Sequence, residues 1–214
     1  MGNNSDAVNT GGAYHAAVPP VLKSGAEPVL DEDGVGRGDL LGFWRWAYSQ
    51  TLDNTLRGVL AEYLVGLALG VVGGSTRNEW DAFDLVSPDG IKVEVKSSAH
   101  LQSWAQRKPS PLTFGIPQTS AWSRDTGGWE ERRLRQSQVY VFCAFTALDP
   151  DEADPLDTRQ WEFHVVSTAR LDAAVGRQKS ISLKELIRRV RPVQATFSTL
   201  AQAVRSEGSA DAGR

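Results

Sequence analysis

The chain has 214 residues and only one cysteine, Cys143, which excludes an intramolecular disulfide and a zinc site built from cysteines. It has no apolar run approaching the roughly 18 residues of a membrane-spanning helix. The N-terminal stretch MGNNSDAVNTGGAYHAAVPP lacks a basic segment followed by an apolar one, which argues against a secretory signal. No Gly-Lys-Ser/Thr follows the glycine-rich GVVGGS, so that stretch is no phosphate loop. No internal repeat is present. These absences lead to the expectation of a soluble, cytoplasmic protein without a membrane partner.

A large excess of one charge is also lacking, since 23 Lys and Arg nearly balance 26 Asp and Glu to a net charge of −3. That value by itself argues against a dedicated nucleic-acid binder, but its distribution does not. Residues 1–37 carry −3 and the segment 149–157 carries −5, which leaves +5 for the remainder. A mildly basic body with acidity held in a leader and a loop permits a polyanionic partner.

What is present divides the chain into a flexible leader (1–37), a folded domain (38–205) and a frayed tail (206–214). Apolar spacing predicts a first helix near 38–50. A second follows Asp53 or Asn54 as N-cap, with Leu56, Val59, Leu60, Tyr63, Leu64 and Leu67 at helical intervals and Gly70 as the stop. The run DAFDLVSPDGIKVEVKSS reads as a β-hairpin with strands near 82–87 and 91–97. A helical stretch at 98–106, a short strand at 113–116, a buried strand at 139–148 and a strand at 161–167 come next. Late helices are expected at 168–175, 182–190 and 193–204. Trp44, Trp46, Trp80 and Trp161 are assigned to the core. Trp104, Trp122 and Trp129 border an irregular region where they could stack bases. The basic groups Arg132, Arg133, Arg135 and Lys179, Lys184, Arg188, Arg189, Arg191 are read as solvated faces, with contact to a DNA backbone as the alternative.

The hairpin turn fixes a register. Pro88 and Asp89 suit the centre of a type I turn and Gly90 the left-handed position after it, so Ser87 pairs with Ile91. Asp84 then lies opposite Glu94, and Ala82 opposite Lys96. Strand alternation puts Asp84, Glu94 and Lys96 on one face and Phe83, Leu85, Ile91, Val93 and Val95 on the other. Two opposed carboxylates repel each other unless a cation lies between them. A hard cation such as Mg²⁺ takes a few oxygens and keeps several waters. Lys96 can then reach an anionic substrate or the attacking water. It is read as orienting water rather than as a base, because nearby carboxylates favour its charged form.

Asp84, a turn, and then Glu94-Val95-Lys96 resemble the PD-(D/E)XK nuclease superfamily over about residues 54–147. The resemblance implies an α/β fold with a restriction-endonuclease-like core: a helix, a three-stranded meander, a helix and another strand. Here that means a mixed central sheet flanked by helices, with a C-terminal helical extension over 148–205. It implies Mg²⁺, or Mn²⁺ in its place, held by Asp84, Glu94 and the carbonyl of Val95, with Lys96 catalytic. By the same resemblance Glu62 on the core helix supports the metal, and Gln102 after the E-x-K strand positions groups at the site. Phe83 stands where the literal motif has proline, and Asp81 flanks the site if the first strand begins early. The expected activity is hydrolysis of DNA phosphodiester bonds, with a homodimer suited to cutting two strands. The alternatives are a nucleic-acid-binding or partner-binding protein that keeps the fold without cutting, and an RNA-directed nuclease.

Overall fold

The computed structural model describes residues 18–74, 76–77, 82–123 and 128–211. Within the region read as a leader, β1 (Pro28–Leu30) and β2 (Gly36–Asp39) form a short hairpin. The Asp39 carboxylate accepts from the Gly42 N–H and starts α1 (Leu40–Tyr48). No residue of α1 is buried, and Trp46, assigned to the core from sequence, is 84% exposed. Trp80 and Asp81 lie outside the described residues, as do residues 1–17.

Helix α2 (Asn54–Leu69) begins where expected. The Asp53 carboxylate accepts from the N–H groups of Thr55 and Leu56, and Gly70 ends the helix in the left-handed conformation. Strands β3 (Leu85–Val86) and β4 (Lys92–Ala99) pair antiparallel, with Leu85 opposite Val93 and Val86 opposite Lys92, the register set by the turn. Gly90 takes a φ of 79°, and its N–H donates to the Ser87 carbonyl. The first strand starts at Leu85 rather than Ala82. Phe83 therefore leaves the apolar face expected of it and lies under the Lys92 ammonium, 5.0 Å from the ring centre.

The helix expected at 98–106 is absent. Ser97, Ser98 and Ala99 instead extend β4 against a parallel neighbour, and residues 100–112 are irregular. Side-chain bonds hold this segment: Ser110 O lies 2.8 Å from His100 Nδ1, and Gln106 Nε2 donates to His100 O and Ser110 Oγ. The crossover continues through β5 (Thr113–Gly115), β6 (Thr119–Ser123) and β7 (Gly128–Leu134) to β8 (Val139–Phe145). A meander of three sheet strands followed by a helix is thus replaced, among the described residues, by one hairpin and a helix-free crossover.

Strand β9 (Trp161–Ser167) and α3 (Thr168–Val175) match their expected bounds. Then come β10 (Ser180–Ser182), α4 (Leu183–Glu185) continuing as a π turn to Val190, β11 (Val193–Ala195) and α5 (Leu200–Asp211). The helix expected over 193–204 is therefore split. Val193–Ala195 adds an edge strand to β9, and Thr196 opens a 3-10 turn through a capping box with Thr199.

The main sheet has the order β11-β9-β8-β4-β3, with β4 and β8 parallel and the other pairs antiparallel. It is a mixed sheet in an α/β fold. Val139, Val141, Cys143 and Phe145 of β8 face the core shared with α2 and α5. Tyr140, Phe142 and Ala144 face a second core with α3, β5 and β10. A strand covered on both sides is apolar throughout, which is why this run is so clear in the sequence.

The tail read as frayed is helical to Asp211 and partly buried. The Glu207 carboxylate is buried and accepts from the Ser167 N–H and from Arg170, each at 2.8 Å. A Cβ on Gly208 would lie 2.5 Å from Ile91, so only glycine lets α5 approach the hairpin this closely. No described helix is long and apolar enough to cross a membrane.

Candidate active site

The hairpin and α2 supply the chemistry-bearing side chains. Glu94 and Lys96 stand two residues apart on β4 and so share a face. The Lys96 ammonium lies 2.5 Å from Glu94 Oε1, and the Ser137 hydroxyl donates to Glu94 Oε2 at 3.2 Å. Asp84 precedes β3 in a bend. Its N–H donates to Val93 O, and its Oδ2 accepts from the Val95 N–H at 2.7 Å. The carboxylate thus occupies the ladder position that a backbone carbonyl would fill, which is why β3 is only two residues long. The N–H and C=O of one strand residue point the same way, so the Val95 carbonyl is directed to the Asp84 side of β4.

Asp84 is half-buried. Burial, followed by the negative charge of Glu94, raises its carboxyl pKa from the ordinary 3.8 to about 6. The Val95 hydrogen bond opposes this, Glu62 adds to it, and Lys96 opposes it more weakly. Tyr140, opposite Glu94 on β8, is pushed above the ordinary phenol range by burial first and by Glu94 second. With Asp84 ionised, the group of Asp84, Glu94 and Lys96 carries one net negative charge in a partly desolvated place.

Glu62 lies close enough to raise the Asp84 pKa, but its carboxylate is held by Arg77 at 2.5 Å and 3.0 Å in a bidentate pair. Gly66, one turn along α2, admits Val72 and Leu85 of the same chain, its absent Cβ lying 3.2 Å and 3.6 Å from them. It therefore serves packing, not ligand approach. Gln102 does not join the group. Its Nε2 donates to Ala99 O and its N–H to Gln106, while the side chain lines a separate cavity. The lack of a helix after β4 explains this displacement.

Asp84, Glu94, Lys96 and the Val95 carbonyl therefore come together, Glu62 stands at their flank, and Gln102 stands apart. Sequence reading missed Arg77 and Ser137. Ser137 is 43 positions from Glu94 and reaches it only through the parallel pairing of β4 and β8. Two carboxylates and a carbonyl suit Mg²⁺, which is commonly held by one or two carboxylates with water and substrate completing its shell. Among the described residues, no group of three or more His, Cys, Asp or Glu side chains is placed to hold a metal.

Arg135, read from sequence as part of a solvated basic face, is buried, and so is Arg57. Arg57 donates to Leu52 O and Asn54 Oδ1, and burial lowers its pKa. Arg135 donates to Ile116 O, Gly176 O, Gln178 O and Asp172, so it is a structural clamp and not part of a basic face.

No protein-family model matches the chain, and no curated protein matches it.

Proposed function

We propose that the protein is a divalent-metal-dependent nuclease of the cytoplasm that hydrolyses DNA phosphodiester bonds, with a reduced restriction-endonuclease-like core running from α2 through the hairpin to β8. The observation that carries this reading is the half-buried Asp84 carboxylate, bonded to the Val95 N–H, on the hairpin that carries Glu94 and its ion pair with Lys96. A solvated surface face would leave its carboxylates in water, whereas here burial first and the Glu94 charge second raise the Asp84 pKa to about 6.

Asp84, Glu94 and the Val95 carbonyl would hold Mg²⁺ or Mn²⁺. When bound, the ion polarises a phosphate oxygen and makes water a better nucleophile near neutral pH. The residues of the chain do the rest. Lys96 donates hydrogen bonds to the phosphoryl oxygens or to the attacking water and offsets charge developing at phosphorus. Glu94 and Ser137 fix the lysine side of the site. Water adds to phosphorus and gives up a proton to solvent, the ester P–O bond breaks, and the leaving oxygen takes a proton from solvent. Glu62, engaged with Arg77, supports the field around Asp84.

The test is incubation of supercoiled plasmid and linear duplex with the wild type and Lys96→Ala, each in Mg²⁺, Mn²⁺ or EDTA. Cleavage that stops in EDTA and in the variant supports the reading. DNA binding without cleavage, unchanged in the variant, favours a second reading: a nucleic-acid-binding protein that does not cut. The ion pair that occupies Glu62 is the observation on its side.

A further inference from the structure

The end of β4, the start of α2 and the irregular 100–112 segment border an open cavity of about 320 Å³. Asn54, Arg57, Ser97, Gln102, Trp104 and Thr113 are among its lining residues. Three buried side-chain atoms among the described residues have no hydrogen-bond partner: Arg57 Nε, Ser97 Oγ and Gln102 Oε1. All three belong to residues that line this one cavity. Unpaired buried polar atoms are rare, and their convergence on a hollow points to a ligand that pairs with them.

Their chemistry narrows the ligand. Arg57 is 4% exposed, and its terminal nitrogens are already engaged by Leu52 O and Asn54 Oδ1, so Nε is a fixed donor. The Gln102 amide cannot be reversed without losing its bond from Nε2 to Ala99 O, so Oε1 is a fixed acceptor. Ser97 Oγ can play either part. A phosphate dianion or carboxylate has no hydrogen for Gln102. A metal ion would meet the Arg57 charge. An apolar ligand would leave all three atoms unpaired. A nucleobase edge offers a donor beside an acceptor, and single-stranded bases are recognised on such edges. Trp104 stands at the rim, 56% exposed, with ring surface available for stacking.

We propose that this cavity takes an unpaired nucleobase of the nucleic acid whose backbone is processed at Asp84, Glu94 and Lys96. The strand source rests on the nuclease reading. The base chemistry rests on the cavity alone. Ser97 directly follows Lys96 on β4 with its side chain on the opposite face of the strand, so the cavity lies about 10 Å along β4 from Glu94. The site therefore selects single-stranded or locally unpaired substrate at a position beside the phosphate it handles.

The experiment measures anisotropy of a labelled short oligodeoxycytidine and of an abasic phosphodiester of equal length and charge, both in EDTA. Wild type, Trp104→Ala and Ser97→Ala are compared, with thermal unfolding as a check on folding. Trp104 is exposed, so its variant should fold normally. The expected result is about tenfold tighter binding of the base-bearing strand, falling toward parity in both variants. Equal binding of the two strands by the wild type, or a preference that both variants retain, overturns the proposal. So does a failure to bind either strand. Plasmid cleavage in Mg²⁺, run in parallel, shows whether the nuclease reading stands when the cavity proposal falls. Competition by free deoxycytidine monophosphate as strong as that by the oligonucleotide would support the base site and identify its source as a free nucleotide.

Discussion

Two polar clusters flank the same central strand and differ in how their charges are met. Around Arg135, a fully buried guanidinium donates to three backbone carbonyls and to Asp172, so its capacity is used and the crossover is tied to α3. Around Asp84, the one ammonium pairs with Glu94, and burial together with the Glu94 charge raises the Asp84 carboxyl pKa to about 6. The first cluster is closed and serves stability. The second is left with excess negative charge and costs stability whenever both acids are ionised. A buried charge set thus indicates function by the imbalance it leaves, not by its charge alone.

Substitutions can break that contrast. Arg135→Met should be the most damaging to the fold, since it leaves three carbonyls without their donor. A loss of about 3–5 kcal/mol in denaturant unfolding is expected, and a loss below 1 kcal/mol would make the cluster incidental. Lys96→Ala should leave the fold intact and lower cleavage by on the order of a hundredfold or more. Unimpaired turnover with supercoiled plasmid would remove Lys96 from the chemistry.

Asp84→Asn should act in the opposite direction on stability. A folded-state pKa raised to about 6 means that the folded protein holds this proton where the unfolded chain has lost it. The stability it contributes is complete below about pH 4 and is lost as pH rises through about 6. In EDTA at pH 8 the Asn variant should therefore be more stable than the wild type by on the order of 2–3 kcal/mol. The gap should close by pH 4, which pH-dependent urea unfolding can check. Gly208→Ala should cost about 1–3 kcal/mol, because the new methyl group meets the stiff Ile91 side chain. The size of its loss in melting temperature measures how firmly α5 clamps the hairpin.

Local chemistry made the hairpin legible. Ser87-Pro88-Asp89-Gly90 specifies a turn, the turn specifies the register, and the register puts Asp84 near Glu94. The Asp53 cap, the Gly70 stop and the apolar run of β8 were legible for similar reasons. Features that depend on long-range pairing were not. Ser98 and Ala99, expected to open a helix, extend β4 because β8 is there to receive them, and no local signal reveals that neighbour. Val193–Ala195 is a strand because β9 offers it an edge. Arg135 looks like a surface cation until the carbonyls of three distant segments surround it. Glu207 and Gly208 sit in a polar stretch that reads as a tail, and their burial follows from the packing of α5 on β9 and Ile91. Within the site, Glu62 was placed on the correct helix, but its partner Arg77 came from a loop with no periodicity to anchor it. Gln102 was drawn to the site by the family resemblance, and the crossover lacks the helix expected to carry it.

The central claim is that Asp84 and Glu94 form a cation site. Calorimetric titration of the wild type, Asp84→Asn and Glu94→Gln with Mn²⁺ at pH 7.5 addresses it without depending on the right DNA substrate. The account expects a saturable site in the wild type that is lost or severely weakened in both variants. Mn²⁺ binding that is absent from the wild type, or unchanged in the two variants, would contradict it.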